Sequence, residues 1–461
     1  MTEQYDPTFE ELWQKIEPGY KIVPKRVERF DLSAKLFVSP MEYETVPFVV
    51  SDTPPSDDLV RKMFFDFVQG EFGSGSGRGS CPPHNISLNQ ITLSGEDVAI
   101  SYLKQSEDLV YGGYLDTFLA TNAEIKGTDR IYSILCDPII GNKENRKYLS
   151  SDSFNRIIAT LNKLQVRIQF ILPSFPFKDQ SVFRTGEPPE HIDMGEIALI
   201  IRLHTLALAM YQVHLYGVDW ILATDGKVYS KILGVEESKV SEYQSKLKRY
   251  RDYLGIQRSV HIIDLKEMTQ RIVSKNQDNK VFDMTKEAIK DILTKRVCYE
   301  NEKAIETLRV LVRGMKWNVN IQDLTRELAW EDLWSVMNSE TGEDLPANLR
   351  KVWNDITEFV AIHAIDYAAF NLTMKYYEVY RNLLPKSIRA TVHPKKDQVA
   401  IPNSGEVYPW NGVAVRTRNG NGVQFESIPL YTLLKRARTA TSYCAQGDDL
   451  PLFYEINERS L

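Results

Sequence analysis

The 461-residue sequence has only four cysteines, Cys81, Cys136, Cys298 and Cys444, and no two of them form a C-x-x-C pair. Scattered thiols of this kind argue against a disulfide framework and fit reduced side chains in an intracellular protein. No H-E-x-x-H pair and no His/Cys/carboxylate cluster has zinc spacing, so no metal is expected. No G-x-S-x-G elbow marks a serine hydrolase. Positive charge is in deficit: 56 Lys and Arg face 62 Asp and Glu, for a net charge of −6. A nucleic-acid or anionic-membrane binder needs a broad basic surface, so neither partner is expected. The opening stretch MTEQYDPTFEELWQKIEP lacks a basic region followed by an apolar core, so no secretion signal is expected and the cytoplasm is the expected compartment. Without secretion, the sequons at Asn85 and Asn371 carry no meaning.

What is present suits a folded enzyme. At 461 residues the chain is long enough for two or three domains or one large one, and 43% hydrophobic with 26% charged residues supply a sizeable core. The most apolar segment, 196–217, is interrupted by Arg202, His204 and His214, which favours a buried helix over a membrane span, with both histidines in the core or at its rim. Residues 1–125 read as a separate leading region, with a short helix at Leu59 to Gln69. The glycine-rich stretch GEFGSGSGRGSCPPHN, 70–85, could cradle a phosphate beside Arg78. Its spacing fits neither a dinucleotide fingerprint nor a Walker loop, and it reads first as a surface loop.

From about residue 126 strands and helices alternate. TDRIYSILCDPII reads as a strand and SDSFNRIIATLNKLQ as a helix with a serine or aspartate cap. There follow strand VRIQFIL, a long helix over 194–216, strand 218–225, helix 238–254 and strand 259–265. This order predicts an α/β fold: a Rossmann-like, mostly parallel sheet with helices on both faces. A helical subregion spans about 281–383. The β-rich end (SIRATVHP, QVAIPN, GVAVRTR, GVQFES) suggests antiparallel hairpins added to the sheet.

Three stretches place polar groups just past a strand, where open α/β sheets bind ligands. In ILPSFPFK, Pro173 and Pro176 end ladder pairing and deliver Lys178. In ATDGKVYSKILGV, Asp225 and Lys227 flank Gly226, a pair that on its own reads first as a turn. In SIRATVHPKK, Arg389 and His393 lie four apart on one strand face, roughly 13 Å apart. The stretch from Arg381 to Lys396 is a basic island in an acidic chain, suited to a phosphate or carboxylate. Glu196 opens the long helix, where a carboxylate also complements the dipole.

Taken in order, ILPSFPFK, DMGEIALIIRLHTL, ATDGKVYSKILGV, SIRATVHPKK and YPWNGVAV resemble the pyoverdine/dityrosine biosynthesis family, the isonitrile (isocyanide) synthases. The likeness covers about residues 126–418. Residues 1–125 match nothing in the family core. Asn411 stands where the family often has histidine, and Arg184 where it usually has lysine.

The resemblance implies conversion of an amino-acid α-amine, that of L-tyrosine or L-tryptophan and of other amino acids in some fungal relatives, to an isonitrile. Ribulose-5-phosphate would be the carbon donor, with no metal or redox cofactor. An iron/2-oxoglutarate oxygenase or a P450 would be the pathway partner. On this reading Lys178, His393, Asp225 and Glu196 are the catalytic candidates. Arg389, Arg184, Lys395, Phe177 and Trp410 would bind substrate, with Phe175 and Tyr408 near the aromatic wall. Imidazole titrates near neutrality, as imine formation requires, and a desolvated Lys178 could serve as acid or base instead. Without the resemblance, the same residues fit a Rossmann-like sugar-phosphate or nucleotide-binding transferase, or an interaction protein working through residues 1–125.

Overall fold

The structure is a computed structural model describing residues 55–72, 80–83, 86–93, 100, 103–104, 113–267, 279–294, 302–377, 379, 387–402, 405–419 and 422–459. Gly73, Gly75, Gly77, Gly79 and Arg78 of the candidate phosphate loop, Cys298 and the start of the basic island at Arg381 lie outside these residues.

Five of the strands expected from residue 166 onward form one all-parallel sheet. They are β2 (Ile168–Ser174), β3 (Val218–Thr224), β4 (Val260–Asp264), β5 (Ile388–Thr391) and β6 (Val399–Ala400), in the order β4-β3-β2-β5-β6. Residues of β2, β3 and β4 are buried almost throughout, which is why these strands read as continuous apolar runs without alternation. Phe170 stacks on Trp220 with ring centroids 4.5 Å apart.

Chain order runs outward from β2 to β4, then returns to lay β5 on the other flank of β2. With right-handed crossovers, that reversal puts the connecting helices on opposite faces and opens a crevice between the carboxyl ends of β2 and β5. Pairing of these two strands covers only Phe170 with Ile388 and Ile171 with Arg389, although both run further, so they part there. Pro173 stays within β2, opposite Ala223 of β3. The expectation that it ends the strand is therefore corrected: its missing N–H falls where the β5 flank is already open.

Helix α4 (Met194–Tyr211) is wedged between this sheet and a second one. Its burial on both sides accounts for apolar residues all round it. It has the length and hydropathy to cross a membrane, yet most of it is buried inside the fold. It ends five residues short of the expected 216, where the His214 ring takes up the Val166 carbonyl at 2.7 Å.

The second sheet holds β1 (Ser87–Leu93), β7 (Val413–Asn419), β8 (Gly422–Ile428), β9 (Ala437–Ala445) and β10 (Pro451–Arg459), in the order β1-β9-β10-β7-β8. The terminal β segments are thus not hairpins added to the parallel sheet. SIRATVHP and QVAIPN join that sheet in parallel, whereas GVAVRTR and GVQFES form an antiparallel pair in the other. Strand β1 of the leading region lies parallel to β9, and helix α1 (Asp57–Phe72) packs on α8 (Glu302–Met315) and α9 (Ala347–Tyr376).

One element has the opposite type. TDRIYSILC is helix α2 (Gly127–Leu135), burying Ile131, Ile134 and Leu135. Their spacing of three and four is helical, and the β-rich composition concealed it. Helix α3 (Ser151–Lys163) forms as expected, but the Ser150 side chain makes no capping bond.

At the amino ends of β2 and β3, the buried Arg167 guanidinium donates to both Asp219 carboxylate oxygens. Burial alone would raise the Asp219 pKa, but Arg167 and His261 outweigh it and hold the carboxyl below its ordinary value. Asp219→Ala should therefore cost about 3–5 kcal/mol of unfolding free energy at pH 7 by leaving a buried charge unpaired. A depressed carboxyl contributes above its unfolded value and loses that contribution as pH falls through the folded one. Denaturant titrations should show the deficit shrinking in acid.

Candidate active site

A cavity of about 260 Å³ opens at the crevice between β2, β3 and β5. Pro173 and Ser174 come from the end of β2, Asp225 follows β3, and Arg389 and Thr391 belong to β5. Phe177, Tyr229, Tyr367 and Trp410 supply aromatic surface. The wall is braced: Trp410 packs on Phe175 at 4.9 Å and lies nearly parallel to Tyr408 at 5.5 Å. The Tyr229 hydroxyl bonds Asn371 Oδ1 at 2.9 Å.

Backbone geometry holds the rim in place. Phe175 has φ of +55°, a left-handed conformation costing roughly 1–3 kcal/mol for a bulky residue. That turn swings the chain from β2 toward helix α5 (Gly226–Leu233). At Gly226 a Cβ would lie 1.9 Å from the Pro176 carbonyl oxygen, so glycine is required by close approach.

Asp225 and Arg389 form the charged part of the cavity. Burial pushes the Asp225 carboxyl up to about 7, against the opposing pull of its own backbone and of Arg389. Its Oδ1 has no hydrogen-bond partner among the described residues. A carboxyl poised near neutrality can accept and return a proton, while a guanidinium can hold a carboxylate or phosphate.

Lys178 does not line the cavity. It is fully buried behind it, with Nζ 2.8 Å from Asp193 Oδ2, 3.1 Å from both Glu196 oxygens and 3.1 Å from the Pro409 carbonyl. Glu187 lies at 3.7 Å, an ion-pair distance. Desolvation works to lower the lysine pKa, but Asp193, Glu196 and Glu187 outweigh it and raise it. The desolvated, neutralised lysine considered from sequence is thus corrected: the ammonium is kept charged. Glu196 is equally enclosed. It completes a capping box with Asp193, its Oε2 accepting the Asp193 N–H at 3.1 Å. Burial and the Asp193 charge raise its pKa well above the ordinary value.

The other candidates separate by position. Asp225, Arg389, His393, Phe177 and Trp410 all line the cavity. His393 lies beyond the end of β5 in a bend, so the shared strand face expected for it and Arg389 does not exist, although the bend brings both to one cavity. Arg184 donates to Asp179 at 2.8 Å and Asn318 at 2.6 Å and supports the rim from behind. Lys395 is half-exposed, 3.8 Å from Glu71 and outside the inner cavity. Lys227 pairs with Asp264 at 2.9 Å. His204 and His214 stay in the core, where burial pushes both down to about 4.

Several lining residues escaped sequence reasoning. Asp179 is next to Lys178 yet faces the cavity. Tyr367 and Asn371 lie one turn apart on α9, a spacing that puts both on one face. Asn371 had been visible only as a sequon. Glu71 arrives from α1 in the leading region.

Residues 158–430 match the sequence profile of the pyoverdine/dityrosine biosynthesis protein family. A stretch of 133 residues is 30% identical to the L-tryptophan isonitrile synthase AmbI2 of Fischerella ambigua, covering 27% of this chain and 38% of that protein. Another, of 121 residues, is 29% identical to the isocyanide synthase xanB of Aspergillus fumigatus, covering 26% of this chain and 15% of that protein. Both matches span well under two thirds of the relative's length. The crystal structure of the PvcA protein from Pseudomonas aeruginosa aligns with a TM-score of 0.45 at 17% identity, over 66% of this chain and 90% of that one.

Two outcomes follow from the electrostatics. Lys178→Ala strands buried carboxylates and should cost about 3–5 kcal/mol, lowering the thermal midpoint, whereas His393→Ala at an exposed bend should leave it nearly unchanged. An unaltered midpoint in Lys178→Ala would refute the buried pairing. For Asp225, a carboxyl raised in the folded state is harmless below its unfolded value and costs stability as pH rises through about 7. Asp225→Asn should therefore stabilise the protein more at pH 8.5 than at pH 5, and a pH-independent difference in melting would contradict the assignment.

Proposed function

The chain belongs to the pyoverdine/dityrosine biosynthesis family, and from that premise we propose that it is an isonitrile synthase acting on an aromatic amino acid, L-tyrosine or L-tryptophan, with ribulose-5-phosphate as carbon donor. The observation that carries this reading is the placement of Asp225, raised to about 7, and Arg389 together inside an aromatic-walled cavity. A zwitterionic aromatic substrate presents three matching features. Its carboxylate suits Arg389, its ammonium suits Asp225, and its ring suits the surface of Phe177, Tyr229, Tyr367 and Trp410.

The amine must lose a proton before it attacks. The Asp225 carboxylate takes that proton, and the free amine adds to the C2 ketone of the sugar phosphate to give a carbinolamine. Protonation of the carbinolamine hydroxyl expels water and leaves the imine, so the atoms of amine and ketone are conserved as imine plus water. His393, at the mouth of the cavity, is placed to supply that proton and to move protons in the enolisation that follows. Loss of phosphate and cleavage of both carbon–carbon bonds at the former C2 then leave that carbon on nitrogen as the isonitrile, the other carbons of the sugar departing as formaldehyde and a three-carbon hydroxyketone. Lys178 and Glu196 act at one remove, by holding the wall that carries Trp410. Asn411 lines the cavity, and the proton transfers fall to His393 and Asp225.

Incubation of the purified chain with ribulose-5-phosphate and tyrosine, tryptophan, valine or leucine in turn tests the reading by mass spectrometry. The expected product is about 10 Da heavier than the amino acid, one carbon gained and two hydrogens lost, and absent from Asp225→Asn and His393→Ala. A folded protein yielding no such product from any of the four would overturn it. Sugar-phosphate binding without that product would favour the transferase alternative.

A further inference from the structure

The inner cavity is not closed. A second compartment of about 670 Å³ adjoins it, the two linings sharing Glu71, Val392 and His393. The two spaces differ in character. The inner one combines aromatic walls with Asp225 and Arg389, whereas Gln69, Asn142, Lys143, Glu144 and Tyr148 give the outer one amide, ammonium, carboxylate and hydroxyl groups. Such a lining suits a polyhydroxylated anion better than an apolar side chain.

One wall of the outer compartment is firmly built. Asp137 Oδ1 accepts the N–H groups of Ile139 and Ile140 at 2.8 and 3.0 Å. Asn142 Nδ2 donates to the Ile401 carbonyl at 2.7 Å. At Gly141 a Cβ would fall 2.4 Å from the Leu135 carbonyl oxygen, so the turn is tight enough to require glycine. This loop presents Lys143 to the compartment, and the Lys143 ammonium has no ion-pair partner among the described residues. Glu144 stands beside it. Across the space, the Glu71 carboxylate lies 3.9 Å from His393 Nε2 and 3.8 Å from Lys395 Nζ.

We infer that the outer compartment binds the phosphorylated ketose, with its phosphate at Lys143, its hydroxyls on Gln69, Glu71 and Glu144, and its carbonyl end at His393 where the compartments meet. The inference rests on the isonitrile-synthase reading for the identity of the co-substrate. Charge supports the division of space: with Arg389 taken by the amino-acid carboxylate, a phosphate dianion in the inner cavity would face Asp179 and Asp225. In the outer one it meets the Lys143 ammonium, which has no ion-pair partner among the described residues, and the Glu71 carboxylate there already lies beside His393 and Lys395. Geometry supports it too, because Asp225 lines the inner cavity while His393 lines both, so a ketone held at His393 would stand at the border of the space that holds the amine, as carbon–nitrogen bond formation demands.

Calorimetric titration of ribulose-5-phosphate and of inorganic phosphate into the full chain tests this, with the 2-hydroxy analogue of the amino acid present and absent. Two surface variants serve, Lys143→Glu to reverse the charge and Gln69→Trp to fill the space from the end of α1. Both should weaken sugar-phosphate binding at least tenfold and raise its KM, while kcat and the KM for the amino acid stay near those of the unaltered protein. Unchanged sugar-phosphate binding in both variants, in a chain that forms isonitrile, overturns the compartment and leaves the proposed function standing. Weakened binding in a chain that forms no isonitrile supports the compartment and removes the proposed function. Failure of the unaltered chain to bind ribulose-5-phosphate with or without the analogue overturns both.

Discussion

The buried Lys178 ammonium is the tie on which the rest of the architecture depends. It sits two residues past the second proline of the β2 exit and reaches Asp193 and Glu196 at the start of the interlayer helix and the carbonyl of Pro409. Asp193 also accepts the Ala414 N–H at 2.9 Å, at the start of β7 in the second sheet. A single cation thus joins the exit of one sheet, the cap of the central helix and the entry to the other sheet. Charges removed from water are retained only when such partners compensate them. The neighbouring Asp179 N–H donates to the Trp410 carbonyl at 2.8 Å, so the same short segment anchors the aromatic wall of the cavity.

This arrangement separates side chains buried among protein partners from side chains that line the cavity. Lys178, Glu196 and Arg184 are engaged with other protein groups, whereas Asp225, Arg389 and His393 face the space a ligand can enter. The parting of β2 and β5 after Ile171 and Arg389 creates that space. Strain at Phe175 and the close approach at Gly226 keep its rim fixed. Rigidity of this kind lets a carboxyl stay poorly solvated beside a guanidinium without the site collapsing around it.

Much of the fold was legible from composition and period. The unbroken apolar runs of β2 and β3 announced parallel interior strands, and the spacing in α3, α6 (Glu237–Tyr253) and α9 announced helices. The misread element, TDRIYSILC, is too short for its β-branched and aromatic residues to be overruled by a three-and-four pattern of only three positions. The placement of the C-terminal strands in a second sheet left no local trace, because a strand's pattern reports that one face is covered and not what covers it.

The sequence by itself determined the alternation of strands and helices, the polar residues waiting past strand ends, and the order of motifs that relates this chain to its family. Those properties live in adjacent residues and in periodicities of a few positions. Only the tertiary structure decided that Lys178 turns inward to three carboxylates while Asp179 turns to the cavity, since two neighbouring side chains after a proline kink have no period to follow. It also decided that Glu71 from one helix and Tyr367 and Asn371 from another line one cavity with Asp225, brought together by helix packing. Burial then shifted the Asp225 carboxyl toward neutrality, a property of surroundings assembled from remote parts of the chain and so invisible in the residues beside it.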